Sequence, residues 1–165
     1  MDNVGKSISN STNQMKGLST GTKAGIYTAL GLIFYFVLMR LFNLHYFMQL
    51  HYVNILVLFI GLRYAIKHII AIKGEIRYFE GLKAGILVTV ISLIIFNIFM
   101  VIYAAVIDPP FLDFLSKNIH LGNGYTSNET IINVVGILTI EGLSSGFIMT
   151  FILMQYYKAD SSETK

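Results

Sequence analysis

The chain contains no cysteine. That excludes disulfides, thiolate metal sites and cysteine nucleophiles. Charge is scarce as well: Asp, Glu, Lys and Arg make up 13% of 165 residues, where soluble domains carry about 25%. There is no Gly-rich phosphate loop and no paired acidic motif. The net charge of +3 is small and gives no nucleic-acid surface. No cleaved secretory signal is expected either. The opening stretch "MDNVGKSISNSTNQMKGLSTGTK" has no apolar core, and the first apolar run, from Ala24, is too long for a cleaved one.

Apolar sequence is what the chain has in abundance. Hydrophobic residues reach 55% and the mean hydropathy is +0.65. So little polar surface cannot enclose a globule of this size, which places the chain in a membrane. A bilayer core of about 30 Å needs about 20 apolar helical residues. Four windows meet that requirement, at about 24–43, 48–70, 84–107 and 131–157. The expected fold is an all-α membrane protein with four transmembrane helices in an antiparallel bundle. A transmembrane domain at 23–158 then lies between a flexible cytoplasmic tail at 1–22 and a second cytoplasmic tail at 159–165.

Basic residues set the expected direction. Nine (Lys6, Lys16, Lys23, Lys67, Lys73, Arg77, Lys83, Lys158 and Lys165) flank one side of the spans. Only Arg40 and Lys117 flank the other, and Arg63 falls inside a span. Both termini are therefore expected in the cytoplasm, with Lys23, Lys67, Lys73 and Lys83 as inner-face anchors. The loop at 108–130 faces outward. Its "DPPFLDFLSKNI" begins with a proline pair that stops span three, and its Phe and Leu spacing suits a short amphipathic helix on the membrane surface. Asn128 begins an N-x-T sequon on that side. Asn10 begins another on the inner side, where it would not be used.

The run "IRYFEGLKAGILVTVISLIIFNIFMVIYAAVIDPPFLDFL" at 76–115 carries a likeness. Its aromatic-then-Gly-Leu-Lys-Ala-Gly start to span three and its closing Asp-Pro pair resemble the domain-of-unknown-function 4199 family. These are small bacterial four-helix inner-membrane proteins, and the likeness in length and layout covers most of the chain. The resemblance implies a bacterial inner (cell) membrane. It brings no activity and no catalytic residues.

Glu141 is the most informative single residue, because it lies well inside span four in "ILTIEGLSSGF". A charge at mid-bilayer costs about 2.5–3.5 kcal/mol on insertion scales. Such a group needs a polar partner or a proton. Asn97 in span three and Arg63 in span two are the candidates, so Glu141, Arg63 and Asn97 form the expected intramembrane polar site. Arg63 has another option, which is to snorkel to the headgroups. Glu141 is read first as structural, hydrogen-bonded to a neighbouring helix, and second as a proton or cation carrier.

"GLSSG" at 142–146 satisfies two patterns. Gly142, Ser145 and Gly146 suit close helix packing. The same letters match G-x-S-x-G, which needs a strand–turn–helix context that these apolar flanks do not offer. His45, His51 and His120 have no metal-ligand spacing, and neither a metal nor a cofactor is expected. The basic segment at 63–83 would attract anionic lipids.

"GTKAGI" at 21–26 and "GLKAGI" at 81–86 agree at five positions. The runs that follow them diverge. They are read as two marks at one membrane face, each with a lysine at headgroup level and small residues where neighbours pack. The expected function is non-enzymatic: a small membrane subunit or assembly and scaffold factor that binds membrane lipids and either another membrane protein or itself. The alternative is a small proton- or ion-coupled transporter or channel using Glu141.

Overall fold

A computed structural model describes residues 2–42, 52–74, 76–108 and 127–163. The four helices among them are α1 (Asp2–Leu41), α2 (Tyr52–Lys73), α3 (Tyr78–Ile102) and α4 (Ser127–Glu163), with a π-helical turn at Tyr103–Ile107 extending α3. Their apolar parts, Ser19–Leu41, Val53–Ile72, Tyr78–Ile107 and Ile131–Tyr157, are each long enough to cross a bilayer. Ile, Val, Phe and Tyr crowd these stretches and would lean toward strands in water. Hydrocarbon removes that option, since a helix satisfies every backbone N–H and C=O within its own segment. The all-α four-helix bundle expected from the sequence is the fold observed. The amphipathic helix expected at 108–119 falls, beyond Asp108, outside the described residues, as do His45, His51 and His120. The last part of the expected loop, from Ser127, already belongs to α4.

The ends of the helices differ from expectation. Residues 2–22, expected as a flexible tail, are helical from Asp2. Their composition shows no helical period. Even so, a helix already nucleated by its apolar span gains one hydrogen bond per added residue without a new nucleation step. Helix α4 likewise continues to Glu163. Helix α3 starts at Tyr78, six residues ahead of the expected span. The cause is the short connection before it. Gly74 caps α2 with φ +79 and donates its N–H to Ile70 at 2.7 Å. This left-handed cap suits glycine, which has no Cβ to clash.

Helix α3 is the hub and touches each of the other three. Its seam with α4 is a ladder that climbs four residues per rung on both helices. Gly81 faces Met154, Gly85 faces Thr150, Thr89 faces Gly146, and Leu93 faces Gly142. A fifth rung, four residues on along α3 but three along α4, joins Asn97 to Thr139 through a 2.8 Å hydrogen bond. The order shows α3 and α4 running antiparallel. Each of the first four rungs sets a glycine against a larger side chain, so the backbones approach closely. Apolar side chains gain little by leaving lipid for protein, and this packing is what holds helices together in a membrane.

The threonines on these seams are self-sufficient. Thr28, Thr89, Thr139 and Thr150 each donate the hydroxyl to the carbonyl four residues back, at 2.7–2.9 Å. Among the described residues no buried hydroxyl is left without a partner. Helix α1 lies parallel to α3, with Gly21 against Leu87 and Gly25 against Ile91. It runs antiparallel to α2, where Gly61 meets Thr28 and Gly31 meets Val57.

Candidate functional site

Polar groups inside the four spans collect at three places. The first is the α3–α4 seam. Asn97 donates Nδ2–H to Thr139 Oγ1, while its own Oδ1 is buried without a donor. The second is a cleft between α2 and α4, a cavity of about 50 Å³. Asn54, Glu141, Gly142 and Ser145 line it along with apolar side chains that include Leu58 and Phe96. Asn54 Oδ1 is another buried acceptor without a donor. Ser145 donates its hydroxyl to Gly142 O at 3.1 Å, which leaves its oxygen as an acceptor. A cavity needs only about 10–15 Å³ of such volume to hold one water. This cleft is therefore roomy enough for water, and Asn54, Glu141 and Ser145 bring oxygen atoms to an otherwise largely apolar wall.

The third place is the Arg40 end of α1. Arg40 reaches Asp108 at 3.1 Å, and Tyr103 Oη lies 3.4 Å from the same carboxylate. The π-helical turn makes this possible. Its wider winding lets the Asp108 N–H bond to Tyr103 O, five residues back, at 3.0 Å. Asp108 is thereby turned inward and buried beside α1. Phe36 packs edge-on against both Tyr103 and Phe99 beneath the pair, with ring centroids 4.9 and 5.8 Å apart.

The three expected site residues do not converge. Asn97 sits in the α3–α4 seam and Glu141 in the α2–α4 cleft, while Arg63 is exposed. No ion pair joins Arg63 to Glu141. The reason is register. Glu141 shares its cleft with Asn54, Ile55 and Leu58, and Arg63 lies at least five residues further along α2, which is about 7 Å at 1.5 Å per residue. The residue missed in the sequence is Asn54. Its signal was present, as an amide in the otherwise apolar "YVNILVLFI".

The remaining named residues fall as follows. Gly142 and Gly146 sit in the α3 seam, within an unbroken helix, so no nucleophile elbow forms there. Lys23, Lys67 and Lys83 are exposed near one end of the bundle, and Lys73 closes α2 at that end. Among the described residues no three His, Asp or Glu side chains come together.

Four apolar helices around a glycine-lined seam define a multi-pass membrane protein. The chain matches no family model, no curated protein and no solved structure.

Proposed function

We propose that the chain is a non-enzymatic subunit or assembly and scaffold factor of a bacterial inner-membrane complex, with both termini cytoplasmic. One observation carries this reading: the intramembrane acid lies on the least covered helix. Only 22% of the apolar window of α4 is buried, against 39% for α1 and α3. Glu141 is exposed on that helix, about 15 Å from the start of its span at Ile131. It has no hydrogen-bond or ion-pair partner among the described residues. An acid without a donor at that depth is costly. A neighbouring helix that brings a donor to Glu141 removes the cost, whether it comes from another membrane protein or from a second copy. The bacterial setting rests on the resemblance over 76–115, and the direction rests on the distribution of lysine and arginine.

The second reading is a small proton- or ion-coupled transporter. The α2–α4 cleft favours it, since Glu141, Asn54 Oδ1 and Ser145 present oxygen ligands to a water-sized space.

Extraction from native membranes in mild detergent separates the two. A subunit co-purifies with a defined partner or with itself, and Glu141→Gln weakens that association while the helical content stays intact. Recovery as a free monomer, together with loss of a proton- or cation-driven flux in proteoliposomes on Glu141→Gln, would give the function to the transporter.

A further inference from the structure

At the lysine-bearing end of the bundle, α1 and α2 part to leave a groove of about 390 Å³. The span of α1 begins at Ser19 and that of α2 ends at Ile72, and both residues line the groove. It therefore lies where both helices leave the hydrocarbon, at the level of lipid headgroups. Lys23 stands on one wall and His68 on the other, with Tyr27 and Tyr64 beside them. Among the described residues no carboxylate lines it.

The chemistry is that of an anion site. Lys23 brings an ammonium with three donors, and the His68 ring carries at least one N–H in either protonation state. Ser19 adds a hydroxyl. Tyr64 packs edge-on against His68, with centroids 5.8 Å apart, and so orients the imidazole. Tyr27 and Tyr64 are exposed amphipathic rings of the kind that settle at the membrane–water boundary. Ile72 adds an exposed apolar side chain where α2 ends. We propose that this groove binds the phosphate of an anionic lipid headgroup, held between Lys23 and His68. The site is independent of what covers α4.

The test uses the full chain in nanodiscs of zwitterionic lipid doped with phosphatidylglycerol, with retained lipids counted by native mass spectrometry. The wild-type protein retains phosphatidylglycerol above its share of the bilayer. Lys23→Gln lowers that enrichment about fivefold, the loss expected for one cation near a charged headgroup. His68→Gln lowers it as well. Lys83→Gln removes a cation at the same end but outside the groove, and leaves retention unchanged. No enrichment in the wild type, or equal losses in the Lys23 and Lys83 variants, would reduce the attraction to diffuse charge and overturn the site. A second arm adds excess inorganic phosphate. Undiminished lipid retention supports the headgroup assignment, whereas displacement of the lipid would show that the groove takes the free anion instead.

Discussion

Among single residues, the pair at the Arg40 end has the clearest energetic consequence. Asp108 is buried, while the Arg40 side chain is 37% exposed. Solvent and headgroups screen the attraction from the arginine side, so the Coulomb energy of the pair is modest. Removing Arg40 is nevertheless costly, because it leaves a carboxylate enclosed with only the distant Tyr103 hydroxyl. Arg40→Ala is expected to destabilise the fold by about 1–3 kcal/mol, read as an earlier unfolding midpoint in detergent. Asp108→Asn costs less, because the arginine stays close enough to the surface to be solvated. A larger effect from Asp108→Asn would refute this account. The pair was only half legible in the sequence. The charges flank the same side of the membrane, but nothing in their spacing announces the π-helical turn that brings them together.

For elements, stability rests on the glycine ladder between α3 and α4. A Cβ at Gly85 would overlap Thr150, and one at Gly146 would overlap Thr89. Thr150 is fully buried and Thr89 nearly so, which leaves neither room to yield. Gly85→Val is expected to cost about 1–3 kcal/mol through overpacking. Gly136→Val serves as the control, since a Cβ at Gly136 meets nothing. Equal unfolding midpoints for the two variants would show that the seam is not the support described. The ladder also explains the repeated hexapeptide. In both copies the lysine is exposed and the following Ala-Gly is buried. The first copy turns its glycines toward α3 and the second toward α4. Orientation marks and packing surfaces coincide because small residues are needed where a helix meets its neighbour, next to a lysine at headgroup level.

For the whole molecule, topology is the property most open to direct measurement. The chain has no native cysteine, so single substitutions report without background. With both termini cytoplasmic, Ser161→Cys reacts with a membrane-impermeant maleimide only after the inner face is opened. Ser116→Cys, in the connection between α3 and α4, reacts from outside intact cells. The reverse pattern would invert the direction proposed here and place the Lys23–His68 groove in the opposite leaflet.

The number of spans, their helical state and the basic end were settled by the sequence alone. Hydrocarbon thickness and the absence of water impose a length and a secondary structure on any chain this apolar. Small residues in "GLKAGI" and "GLSSG" likewise pointed to close contact before any neighbour was known. Register was beyond reach. Depth counted from span boundaries carries an error of a turn or more, since helices begin and end at caps, as α2 ends at Gly74, and not where hydropathy rises or falls. That error placed Arg63 opposite Glu141, where the fold places Asn54. Which helices become neighbours was also decided only in three dimensions. The fit of each glycine to one facing side chain chooses among several apolar surfaces of nearly equal hydropathy, and it leaves Glu141 on the helix with the most uncovered surface.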